Sequence, residues 1–207
     1  MTAHPVAALL IAASLPLSAQ PATLQLRPPL DTAQERQALR KLTLCVAKAR
    51  PRWARTMLSY PYLSSDQASV AAQIVSGHDN CLGAPEVAVA FRTSSVVGFA
   101  AEEALEVGMA RTDPKRIGAA LNTAAPKNVS EDFALCLAAR DPASSFGLAS
   151  SDPGSANEAK AAEAVAAGVP YCSKPGEKFD VDVQALRALV ATALYRAITA
   201  VSPAGSN

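Results

Sequence analysis

The chain has 207 residues, enough for one ordinary domain or two small ones, and half of them are hydrophobic, so a sizeable core is available. Aromatic residues make up only 5% while alanine, the best helix former, is abundant, which leans the chain towards helices. A formal net charge of +1 excludes a partner held by bulk charge, nucleic acid above all.

The opening stretch, MTAHPVAALLIAASLPLSAQ, reads as an export signal. Its apolar run from Val6 to Leu17 fits a signal core and is short for a bilayer span. Leu17-Ser18-Ala19 supplies small residues, which places cleavage after Ala19. The amino terminus and His4 stand where a signal usually carries Lys or Arg. No later run reaches the roughly 18 unbroken apolar residues of a spanning helix, so no transmembrane segment is expected in the mature chain. Residues 20–30 then read as a flexible lead-in.

From there the sequence repeats itself. TLCVAKARP at 43–51 returns as ALCLAARDP at 134–142. Laying 41–81 on 132–172 without a gap gives 10 identities in 41 positions. Alanine identities are cheap in this chain. The matches Cys45/Cys136, Pro51/Pro142, Gly77/Gly168 and Cys81/Cys172 are not, and they carry the argument for an internal repeat. Repeat 1 is expected over 31–107, a linker with a short helix over 108–127, repeat 2 over 128–201, and a disordered tail over 202–207.

Within repeat 1, Thr32 and Glu35 predict a capped helix running to about Ala49, and Pro51 ends it and suits the first position of another. Ser64-Ser-Asp-Gln67 reads as a capping box opening a helix over 66–76, with Gly77 placed for a left-handed C-cap. A longer helix follows over about 93–107. Asp113-Pro114 can start the short linker helix. Repeat 2 restates the pattern. Asn128 and Glu131 open a helix to about Arg140, Ser155 and Glu158 cap one over 157–167, and Gly168 again offers a C-cap. VQALRALVATALYRAI then puts Leu186, Val190, Ala193, Leu194 and Ile198 on one helical stripe. Before each long helix the period changes to two: Val87, Val89 and Phe91 alternate, as do Phe179, Val181 and Val183. These two short extended pieces could pair as a ribbon. The fold expected is therefore mostly α, two tandem repeats of about four helices each with a minor two-stranded ribbon, stapled by disulfides.

Four cysteines in an exported chain read as two disulfides with three possible connectivities. Duplication of a unit carries its own bridge along, which favours Cys45–Cys81 and Cys136–Cys172. Zinc and redox sites would want CxxC or CxH spacing, which the sequence lacks. No catalytic, cofactor or metal residue is assigned, since no recognised catalytic or phosphate-binding motif occurs. His78, beside Cys81, reads as a loop histidine. Glu102, Glu103 and Glu106 read as a solvated acidic helix face, with paired-carboxylate chemistry as the sharper alternative.

One stretch stands out. Arg36, Arg40, Lys41, Lys48, Arg50, Arg52 and Arg55 surround Trp53 in repeat 1, and repeat 2 has neither the arginines nor the tryptophan. The acidic residues of 61–110 can neutralise part of this charge inside the fold. The functional reading is a partner-binding surface of Arg50, Arg52, Trp53 and Arg55 for an anionic component or protein of the cell envelope.

LCVAKARP, the paired cysteines and LRALVATALYR resemble exported alphaproteobacterial proteins of the sphingomonad type with tandem Cys-paired helical repeats. The resemblance spans both repeats and implies the bacterial envelope as the compartment. It brings no activity, so no functional residue is carried over from it. The expected function is a non-enzymatic binding or structural module, periplasmic or secreted. The alternative is a small carboxylate-dependent envelope enzyme.

Overall fold

The computed structural model describes residues 22–27, 32–76, 81, 92–109 and 114–201, and every structural statement below concerns these. They form β1 (Thr23–Arg27), α1 (Ala33–Ala49), α2 (Pro51–Ser59), α3 (Ser65–Ser76), α4 (Thr93–Met109), α5 (Pro114–Leu121), α6 (Val129–Arg140), α7 (Pro142–Ser150), α8 (Ala156–Ala166), α9 (Val169–Cys172), β2 (Lys178–Asp182) and α10 (Val183–Val201). The fold is mostly helical with one small sheet and two disulfides, Cys45–Cys81 and Cys136–Cys172. Each bridge closes a 36-residue separation, worth about 3–4 kcal/mol in the chain-entropy model. His78, Gly77, the 87–91 alternation, the signal and the 202–207 tail lie outside the described residues.

Local chemistry places most helix starts where the sequence puts them. Thr32 accepts the Glu35 amide at 3.2 Å while Glu35 accepts the Thr32 amide at 2.7 Å, a complete capping box. The other three starts are variants of it. Ser64, Asn128 and Ser155 each accept the amide three residues on, from Gln67, Glu131 and Glu158. The returning side chain reaches one residue further back than a capping box requires, to the amides of Leu63, Lys127 and Gly154. Leu63 and Gly154 both have positive φ, +58° and +84°, and this turn of the chain presents their N–H groups to the helix. A side chain at Gly154 would also lie 2.7 Å from Ala33 Cβ, so glycine there serves both the backbone and the close approach.

Two expectations need correction, and the two-stranded ribbon contains a strand that the sequence reading did not name. Gly168 is right-handed, φ −76°, and makes no left-handed cap, because the chain turns directly into α9. The ribbon partner of β2 is β1, parallel, with Leu24 opposite Phe179 and Leu26 opposite Val181. Residues 20–30, read as flexible, therefore contain a strand over 23–27. Leu24 and Leu26 alternate with exposed Thr23 and Gln25 and pack on the core, which is what holds the strand down.

The core forms around the pair α4 and α10. Helices α1 to α3 pack on α4, and α6 to α8 pack on α10. Gly98 lets the two long helices meet: a Cβ there would stand 2.7 Å from Ala188 Cβ and 2.8 Å from its Cα.

Candidate binding surface and neighbouring groove

Helix α2 has two faces. Ala54, Met57 and Leu58, at helical spacing, are buried against the core. Arg50, just before the helix, and Arg52 and Arg55 within it are exposed, and the Arg50 guanidinium lies 4.5 Å over the half-buried Trp53 ring. Arg50 provides no side-chain cap. Ninety-one residues on, Asp141 holds the corresponding place in α7 and accepts the Ser144 amide at 3.0 Å. The bonds from Ser144 hold the Asp141 carboxyl below the ordinary aspartate range, against a smaller opposing effect of burial. The position before α2 thus holds a cation stacked on an indole, where the position before α7 holds a capping carboxylate.

The rest of the basic stretch divides. Arg36 and Arg40 leave the surface for a buried ion network. Arg36 is 5% exposed and donates to Glu158 at 2.9 Å, while Arg40 reaches Glu102 at 3.3 Å. At the centre, Arg187 is wholly buried. It donates to both Glu102 oxygens at 2.6 and 2.9 Å, to Glu158 at 3.0 Å and to the Ser151 carbonyl at 2.7 Å. Burial opposes the Arg187 charge, and the bonds to Glu102 and Glu158 outweigh it, raising its pKa. For Glu102 burial wins: it pushes the carboxyl up against the pull of Arg187 and Arg40.

This corrects the reading of Glu102, Glu103 and Glu106 as one solvated face. Glu102 is buried and held by two arginines, Glu103 is half-buried and faces Lys48 at 3.6 Å, and Glu106 alone is exposed. A hollow of about 420 Å³ adjoins them, walled by Arg40, Leu44, Phe146 and Ser150. Both oxygens of Glu102 accept hydrogen bonds from guanidinium groups. Among the described residues, no group of three or more His, Cys, Asp or Glu side chains is placed to hold a metal ion.

On the other flank of α2 lies a larger groove, about 780 Å³, between α1, α2, α4 and α10 with α5 at one edge. That volume falls within the range of about 300–1,000 Å³ typical of small-molecule sites. Its walls are mainly apolar. Ala100 and Ala104, one turn apart on α4, line it with short side chains, and Gly108, one turn on, lets Ile198 approach, since a Cβ there would stand 2.8 Å from its Cγ2. Arg55 belongs to both the groove and the basic face, so the two features share a border. Tyr195 lines the groove too. Burial raises its phenol pKa, and the charges of Arg196 and Arg55 pull it down.

The sequence reading found Arg50, Arg52, Trp53 and Arg55 and missed Arg187, Tyr195 and Arg116. Arg187 had a visible signal, a single cation inside the apolar stripe of α10. The small-residue spacing on α4 was likewise visible before the groove was.

Comparison of the chain with family models, with curated proteins and with solved structures returns no match. No helix among the described residues is long and apolar enough to cross a membrane.

Proposed function

We propose that the protein is a non-enzymatic binding module of the bacterial cell envelope, which meets an anionic lipid surface through the outer face of α2. The observation that carries this reading is the set of Arg50, Arg52 and Arg55, all exposed, at the start of α2 and along its first half. Asp141, Ala143 and Phe146 stand at the matching places of α7, so the array belongs to one half only. Export after cleavage at Ala19, a periplasmic or secreted location, the tandem duplication and the likeness to exported alphaproteobacterial proteins are part of the same reading. Two disulfides support it, because such bridges persist in oxidising compartments.

The alternative, a carboxylate-dependent envelope enzyme, draws on the hollow beside Glu102 and Glu106. It is the weaker reading, because Glu102 is already neutralised by Arg187 and Arg40.

Vesicle sedimentation tests the preferred reading. The oxidised protein is expected to bind phosphatidylglycerol vesicles and not phosphatidylcholine vesicles. Each exposed cation near an anionic surface contributes about 1 kcal/mol, so replacing Arg50, Arg52 and Arg55 together by Ser should weaken binding on the order of a hundredfold at low salt. Raising the salt should narrow the difference, since exposed charge is screened within about 8–10 Å near physiological ionic strength. Equal binding by the triple variant, with an unchanged circular-dichroism spectrum, would remove α2 as the docking face.

A further inference from the structure

The smaller hollow, about 420 Å³ between α1, α4 and α7, carries a charge that the buried network leaves over. Leu44, Leu105, Phe146 and Ala149 give it apolar walls. The ion pairs around it join Glu102, Glu103, Asp152 and Glu158 to Arg36, Arg40, Lys48 and Arg187, four against four. Glu106 stands outside them. It lines the hollow, is exposed, and makes no ion pair with any described residue. The hollow is therefore one cation short. Other polar atoms on its wall are also acceptors. Ser150 gives its proton to the Phe146 carbonyl at 2.8 Å, so its hydroxyl keeps only lone pairs to offer. Glu103 Oε2 is buried and accepts no hydrogen bond among the described residues, since Lys48 at 3.6 Å stands beyond hydrogen-bond range. Arg40, the one cation on the wall among the described residues, is engaged by Glu102 at 3.3 Å and Asp152 at 3.5 Å.

We propose that this hollow binds a small organic ammonium, its nitrogen at the Glu106 carboxylate and its apolar body between Leu44, Leu105 and Phe146. An ammonium group is all donor and carries the charge the wall lacks. Its hydrogen bonds to a carboxylate are charge-assisted, and apolar walls that keep water away strengthen them. The volume falls towards the lower end of the roughly 300–1,000 Å³ of small-molecule sites, which suits a compact body. An aryl body gains most, because aromatic rings bury a large area and pack favourably on a ring such as Phe146. A bare metal ion fits poorly, since no three ligating side chains converge among the described residues. No described residue of α2 lines the hollow, so the site stands apart from the proposed docking face.

Isothermal titration calorimetry of the oxidised protein at low salt tests this, with phenethylammonium as the probe. The expected result is a single saturable site. Hydrocinnamate has a similar body and the opposite charge, and should bind at least about tenfold more weakly. Ethylammonium keeps the charge and lacks the ring, and should also lose about tenfold or more. Glu106→Gln changes an exposed, unpaired side chain and is expected to fold as the parent does. It should weaken phenethylammonium about tenfold and leave neutral phenethyl alcohol unaffected. Ser150→Trp, at an exposed position on the wall, should plug the hollow and abolish binding.

The proposal is overturned by the absence of saturable binding, or by hydrocinnamate binding as tightly as the ammonium. It is overturned equally if Glu106→Gln or Ser150→Trp binds phenethylammonium like the parent. Vesicle binding without ammonium binding removes this inference alone. Ammonium binding by a protein that ignores anionic vesicles removes the α2 docking face alone.

Discussion

At the scale of single residues, Arg50 and Asp141 show how one position in two similar settings serves two ends. Both precede a helix that begins with proline, and both have nearly the same backbone, φ −135° and ψ 64° against φ −140° and ψ 81°. Asp141 caps α7, and its carboxyl is held below the ordinary range by Ser144. A lowered carboxyl pKa contributes stability above the unfolded-state pKa and loses it as pH falls through the folded-state value. Asp141→Ala is therefore expected to cost about 1 kcal/mol at neutral pH, a cost that fades in acid. Arg50→Asn should do the reverse for α2, adding a cap worth about 1 kcal/mol while removing a cation from the proposed docking face. Thermal melts across pH check both signs. Equal and opposite effects at neutral pH are expected, with only the Asp141 effect shrinking on acidification.

At the scale of elements, the legible and the illegible separate by distance along the chain. Helix starts at Thr32, Asn128 and Ser155 were readable because a cap involves residues three apart. The fate of Arg36, Arg40 and Glu102 was not, because Arg36 meets a partner 122 positions away and Arg40 one 62 positions away. Strand β1 shows the same limit: five alternating residues gain their meaning only from Lys178–Asp182. The proposed docking face was visible as a basic cluster around Trp53, though Arg36 and Arg40 of that cluster turn inward. Packing of α4 on α10 gives a prediction of its own. Ala188 presents both Cβ and backbone Cα to Gly98, so a methyl there cannot be relieved by rotating a side chain. Gly98→Ala is expected to cost about 1–3 kcal/mol by overpacking, despite its better helix propensity. Chemical denaturation measures this, and a neutral or stabilising change would mean that the two helices do not meet at Gly98.

At the scale of the whole molecule, two helical halves each carry one disulfide, and α4 and α10 join them through a buried ion network centred on Arg187. Such a network is costly to break, because removing one partner strands a buried charge, and it fixes how α4, α8 and α10 meet. Glu102 and Glu158 serve that junction, while the exposed cations and the open apolar volume lie together along α2. The groove was legible only as spaced small residues on α4, since its depth comes from helices brought together by the fold. Hydrogen–deuterium exchange with phosphatidylglycerol vesicles tests most directly where the molecule binds. Protection is expected over residues 50–58, with little change over 156–166 on the opposite half. Protection confined to the hollow beside Glu102, Glu103 and Glu106, with α2 exchanging as in the free protein, would contradict it.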